Sequence, residues 1–140
     1  MQRGVVAVIP RGDRLLVIRR SQHVKAPGTF CFPGGAIEQG ETESAALCRE
    51  LWEELGCEVI PRERLWESVT AWQVALSWWL AELPTDALLA PNPAEVESIH
   101  WFTVDELREL PQLLSSNRAF LEYWQERGAP VRREALETGD

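Results

Sequence analysis

The chain has 140 residues, 45% of them hydrophobic and seven of them Trp, enough apolar material for one globular core and too much for a disordered chain. Its 22 acidic against 14 basic residues give a formal charge of −8, which disfavours a nonspecific grip on a nucleic-acid polymer. A small phosphorylated ligand stays open, since basic residues or cations can reverse the field inside one cleft.

No apolar run approaches the length of a bilayer crossing, and the N-terminus lacks a signal peptide's order of segments. Cys31, Cys48 and Cys57 have no CxxC spacing and read as reduced thiols of a cytoplasmic protein that engages no membrane. In chain order, Gly4 to Ile9 (GVVAVI) and Arg14 to Ile18 (RLLVI) are β-branched runs around Pro10-Arg11-Gly12-Asp13, the pattern of a hairpin. Thr29 to Phe32 (TFCF) reads as a short strand halted by a turn at Pro33-Gly34-Gly35. A helix is predicted from about Thr42 to Leu55, ended by Gly56 as a left-handed cap. Cys57 to Ile60 and Leu65 to Thr70 are weaker strand candidates, whereas Trp72 to Leu83 is apolar on both faces, as in a strand inside a sheet. Val96 to Phe102 (VESIHWF) alternates as a further strand. A second helix begins at Thr103, with Glu106 completing a capping box. A third spans roughly Asn117 to Arg127, with Ser115 or Ser116 as cap and Gly128 as terminator. Without a repeat or linker, this order predicts a single domain over residues 1–130, of α/β (α+β) class with a mixed sheet, and a frayed tail over 131–140.

Three glutamates crowd the first helix. At about 100° per residue, Leu47, Cys48, Leu51 and Leu55 share the side that packs against a sheet, and Glu50, Glu53 and Glu54 gather on the other. Like charges at i, i+3 and i+4 weaken a helix by roughly 0.2–0.5 kcal/mol per pair. Glu53 and Glu54 also face the negative end of the helix dipole. Either this is a solvated acidic face, or the carboxylates hold a hard cation that takes its other ligands from water and phosphate. Pro33-Gly34-Gly35 favours the second, because bare backbone can approach a ligand or offer a carbonyl to a metal. Glu41 and Arg49, of opposite charge, can brace loop against helix.

From Gly35 the chain reads Gly, five residues, Glu41, seven residues, then Arg49-Glu50-Leu51-Trp52-Glu53-Glu54-Leu55-Gly56-Cys57. This resembles the Nudix box of the MutT-like Nudix hydrolases, with a small thiol at Cys57 where the family usually has a larger aliphatic residue. The likeness extends to the strand pair before the box, the Pro-Gly-Gly entry and the late Trp101-Phe102 with Asp105-Glu106-Leu107. It implies an α/β/α sandwich with a mixed sheet between helices. It also implies hydrolysis of a pyrophosphate bond in a nucleoside diphosphate linked to another group, with water attacking phosphorus and Mg²⁺, or Mn²⁺ in its place, as cofactor. By the same resemblance Glu50 and Glu54 are metal ligands, Glu53 shares a second ion, the Gly34 carbonyl adds a ligand, and Glu41 and Arg49 orient the carboxylates. The base comes either from the box helix, at Glu53, or from a loop glutamate before a late strand, where Glu95 is the first choice and Glu97 the alternative. A Nudix-fold module that binds nucleotides without cleaving them would be expected to lack a box carboxylate, and this chain retains all of them.

Of the basic residues Arg19, Arg20, His23 and Lys25 between the second strand and the glycine turn, Arg19 is the candidate phosphate contact; the others read as a surface loop. Trp72, beside the turn at Thr70-Ala71, is the Trp expected to be exposed and able to stack a nucleobase. Trp66, Trp78, Trp79 and Trp101 read as core, and His100 as a satisfied buried imidazole. The expected partner is a small nucleotide-like pyrophosphate.

Overall fold

In the computed structural model, which describes residues 1–127, the first apolar run passes from one sheet into another. Its elements are β1 (Gln2–Val8), β2 (Pro10–Arg11), β3 (Arg14–Arg20), β4 (Phe30–Cys31), β5 (Gly34–Ala36), α1 (Glu43–Leu55), β6 (Ile60–Val69), β7 (Val74–Glu82), β8 (Val96–Thr103), α2 (Val104–Arg108) and α3 (Ser115–Glu126). One sheet has the order β5-β1-β7-β6, in which β1 and β7 run parallel and the other pairs antiparallel. In the second, β3 pairs along its length with β8, while the short β2 and β4 share its other edge. The hairpin expected between the first two apolar runs is therefore short, with Pro10 opposite Leu15, Arg11 opposite Arg14 and one further bond from Leu16 N–H to Ile9 O at 3.0 Å. The edges of β1 are taken by β5 and β7.

Strand alternation divides the interior into two cores. Val5, Ala7 and Ile9 join Leu16 and Ile18 on the face covered by Ala46, Leu47, Leu51 and Leu55 of α1. Val6 and Val8 join Leu15 and Val17 on the face covered by Leu107 of α2 and by Phe120, Leu121 and Trp124 of α3. This is the expected α/β/α layering with mixed strands. Trp78, in the middle of β7, is fully buried and stacks on Phe120 with centroids 4.7 Å apart.

Several boundaries differ from the sequence expectation. Cys57 and Val59 are buried but lie outside any strand; β6 starts at Ile60 and pairs with β7 as far as Val69, with two register shifts. Strand β7 begins only at Val74, because Thr70 accepts from the backbone of Trp72 and Val74 and turns the chain there. Pro33-Gly34-Gly35 is only partly a turn, since Gly34 and Gly35 pair with Val6 and Val5. Helix α3 is entered from Leu114 with no side-chain cap, so neither Ser115 nor Ser116 caps it. Its start is set instead by β4, where Phe30 N–H donates to Gln112 O at 2.9 Å and Leu114 N–H to Phe30 O at 3.0 Å. The expected terminator Gly128 and the expected tail 131–140 lie outside the described residues.

Candidate active site

Helix α1 is fixed at both ends. Thr42 Oγ1 accepts from Ala45 N–H at the N-cap, and Gly56, at φ 61°, closes the C-terminus by donating to Trp52 O. From its middle turn Arg49 reaches across to the glycine strand. Its Nε and Nη2 grip Glu41 with two bonds of 2.7 and 2.9 Å, and Nη2 also donates to Ala36 O at 2.9 Å. Nη1 meets Glu50 at 3.0 Å and Glu53 at 3.3 Å. The guanidinium beside Glu41, helped by the Glu38 N–H, lowers that carboxyl to about 2. Arg49 thus ties loop, strand and two helix carboxylates together, as a planar fork can and an ammonium cannot.

The carboxylates do not all share a solvated face. Glu54 is only 7% exposed. By helix geometry it stands about 20° around the wheel from Leu47, so it borders the buried side rather than opposing it. Its Oε1 accepts from Gly34 N–H at 3.0 Å, and burial, outweighing that bond, raises its pKa to about 8. Glu50 and Glu95 add to the rise by charge repulsion. Burial is also the first cause of the raised pKa of Glu50, with Glu53 and Glu95 contributing. Glu53 is about half exposed.

Two glycines make this packing possible. A Cβ on Gly34 would stand 2.1 Å from Val5 O, and one on Gly35 2.3 Å from the Glu50 carboxyl. Just before β5, Pro33 O accepts from Ala7 N–H of β1, so alternation turns the N–H and the C=O of Gly34 away from β1, and the N–H meets Glu54 there.

Glu95 stands just before β8, and its charge acts on both Glu50 and Glu54. Among the described residues its buried Oε2 has no hydrogen-bond partner. Glu97, two residues on, does not join it. Arg20 pairs with Val96 but Arg19 with Ser98, so Glu97 is the extra residue of a bulge and forms an ion pair with Arg19 at 3.3 Å. Arg19 has the parity of Leu15 and Val17 and so belongs to the α3 face, where it lies over Phe30. Arg20 has the parity of Leu16 and Ile18, on the α1 face, and its charge acts on Glu54. It also donates to Lys25 O at 2.7 Å. The basic residue brought to the carboxylates is therefore Arg20, not Arg19; strand parity separates the two, but both faces of β3 are apolar and only the fold sets which of them meets α1.

Trp72 is 87% exposed, as expected, but sits at the tip of the β6–β7 hairpin. Gly34 is level with Val6, and Val6 with Trp78, which leaves Trp72 roughly 15–20 Å along the sheet from the carboxylates. Trp66, Trp79 and Trp101 are partly buried. His100 is half-buried rather than buried, bonded to Ser98 Oγ at 2.7 Å and stacked on Phe102.

Among the described residues no three His, Cys, Asp or Glu side chains are already drawn onto one metal-sized point. The donor set nevertheless fits a hard cation: a buried and a half-buried carboxylate, both of raised pKa, a carboxylate oxygen without a partner among the described residues, and the backbone of Gly34 bonded to Glu54. Mg²⁺ needs one or two protein carboxylates and fills its octahedron with water and phosphate, so no closed cage is required.

A family model described as NUDIX domain matches residues 1–124. The chain is 32% identical over 124 residues to a protein of Deinococcus radiodurans named NAD-capped RNA hydrolase NudC, covering 85% of this chain and 43% of that protein. It is 33% identical over 109 residues to a MutT-like protein of Streptomyces ambofaciens, covering 76% of this chain and 66% of that one. The crystal structure of a MutT protein from Methanosarcina mazei Go1 superimposes with a TM-score of 0.76 at 20% identity, over 91% of this chain and 94% of that one. The chain spans less than half the length of the NudC proteins it matches.

Proposed function

The chain belongs to the Nudix hydrolase family, and from that premise we propose that it is a divalent-metal-dependent pyrophosphohydrolase acting on a nucleoside diphosphate linked to another group. The observation that carries this reading is the orphaned Oε2 of Glu95, buried beside Glu50 and Glu54. Three carboxylates whose charges act on one another, one of them buried, are relieved by a proton or a cation, and a structural core has no use for them.

Glu50 and Glu54 would hold the metal, with Glu53 toward a second ion and the Gly34 carbonyl as a further ligand. When bound, Mg²⁺ or Mn²⁺ would neutralise the pyrophosphate and make its bound water more acidic. Arg49 and Glu41 hold α1 against the glycine strand, which keeps Glu50 and Glu53 from drifting apart. Glu95 is the base: its unpartnered oxygen is free to accept a proton from the attacking water, whereas Glu53 is bonded to Arg49 and Glu97 to Arg19. Arg20 meets the substrate phosphate in place of Arg19, being the guanidinium on the α1 face. Trp72 has no part in this reading unless a substrate reaches the hairpin tip. The three free thiols suit the cytoplasmic setting expected from the sequence, and among the described residues no helix is long and apolar enough to cross a membrane.

The test is release of phosphate or nucleoside monophosphate from a panel of nucleoside triphosphates, nucleotide sugars and NAD, with Mg²⁺, Mn²⁺ or EDTA. NAD and an NAD-capped RNA belong in it because a relative's name includes that substrate. Turnover should require the metal, and Glu95→Gln should lower kcat by about 10²–10⁴-fold. Full turnover in EDTA would overturn the reading, and binding without turnover on every substrate would favour a silent nucleotide-binding module.

A further inference from the structure

We infer that Ser21 is a positioning residue for Glu95, acting through the backbone of the loop that carries it; this rests on the reading of Glu95 given above. Ser21 follows the last residue of β3 and is one of few buried polar side chains among the described residues, 3% exposed. Its Oγ donates to Ala94 O at 2.8 Å and accepts from His23 N–H at 3.1 Å. Its backbone N–H donates to Glu95 O at 3.0 Å. One residue therefore holds the carbonyls of both Ala94 and Glu95.

A second grip comes from α1. Asn92 N–H donates to Glu54 O at 2.8 Å, one of the carbonyls a helix C-terminus leaves unpaired. Asn92 then folds the loop on itself, its Oδ1 accepting from Ala94 N–H at 3.1 Å and its carbonyl from Glu95 and Val96 N–H at 3.0 and 2.8 Å. Glu95 is thus suspended between the α1 terminus that carries Glu54 and the β3 end that carries Arg20.

Its own side chain makes no hydrogen bond among the described residues, and Oε2 is orphaned. A carboxylate without bonds of its own takes its position from its backbone. Two residues in sequence divide the work: Arg20 sets the charge beside the carboxylates, and Ser21 sets where the loop carboxylate stands. Ser21→Ala removes the bond to Ala94 O while leaving the backbone bond to Glu95 O possible, so the loop loosens at one point and stays attached at the other.

The experiment is a double-mutant cycle of Ser21→Ala with Glu95→Gln, with kcat, KM and thermal stability measured for all four proteins. Ser21→Ala should lower kcat by about 10–100-fold with little change in KM, the range seen when partners that orient an active-site group are removed. In the Glu95→Gln background the same change should alter kcat by less than about 2-fold, since the group it positions is gone. Ser21→Cys, which nearly keeps the volume but weakens the donor, should show the same pattern at smaller size and guards against poor folding of the alanine variant. An equal loss in both backgrounds would mean that Ser21 only supports the fold, and the inference falls while the reading of Glu95 stands. If Glu95→Gln itself leaves kcat unchanged, that reading falls and takes the inference with it.

Discussion

Glu54 shows how far a single carboxyl can depart from its ordinary behaviour. Its pKa is 4.5 when unperturbed and about 8 in the metal-free fold, because burial penalises the anion more than the Gly34 N–H favours it. Between those values the folded chain keeps a proton that the unfolded chain has released. The contribution of Glu54 to stability is therefore full below about pH 4.5 and is lost as pH rises through about 8. In EDTA the melting temperature should fall as pH is raised across this window, and Glu54→Gln should flatten the fall. A slope unchanged by Glu54→Gln would mean that another group titrates there. Because a carboxylate must shed its proton to bind a cation, metal affinity should rise over the same pH range, measurable by Mn²⁺ titration without substrate.

At the scale of elements, the proposed site is a contact between the short edge strand β5 and helix α1. That contact exists because Gly34 and Gly35 let backbone stand where side chains would collide. Gly35→Ala places a methyl 2.3–2.6 Å from the Glu50 carboxyl atoms. The carboxylate is the far end of a flexible side chain and can swing aside, so the fold should survive with a small change in melting temperature. Activity should not, because a displacement of about 1 Å at a reacting site costs on the order of 100-fold. Measuring kcat/KM beside the thermal melt separates the two, and near-normal activity would show that Glu50 works from elsewhere. The bulge in β8 is the second decisive local feature. One extra residue opposite Arg19 and Arg20 leaves Glu95 with the helix carboxylates and gives Glu97 to Arg19.

Over the whole molecule, the two cores do separate work. The α1 core carries the carboxylates, while the α3 core packs Trp78, Phe120, Phe32 and Trp124 with no carboxylate of the site among them. Phe120 is fully buried, stacked on Trp78 and edge-on to Phe32 at 5.9 Å. Phe120→Ala should destabilise by about 3–5 kcal/mol, the usual result of emptying a buried aromatic site. Denaturant unfolding would read that loss. Metal dependence and KM of the folded fraction should stay near wild type, and a large change in either would mean that the α3 core shapes the site directly.

The sequence by itself determined the layers and the helix that carries the site. Thr42, Gly56 and the Thr103–Glu106 box fixed helix ends through bonds that span four residues or fewer, which a linear pattern can display. Arg49 and Glu41, eight residues apart across the start of the helix, were legible as opposite charges able to brace loop against helix. Tertiary structure alone decided what depends on pairing between distant segments. Which edges β1 gives to β5 and β7, how β8 slips by one residue, and which of Arg19 and Arg20 meets the carboxylates follow from strand register. The backbone grip of Ser21 on Ala94 and Glu95, and the distance of the Trp72 hairpin tip from the carboxylates, were likewise invisible, whereas the place of Glu54 beside Leu47 on the helix wheel was a readable sign of its burial. Register carries no local mark, since a shift of one residue exchanges every side chain between two faces while leaving the composition of each segment unchanged.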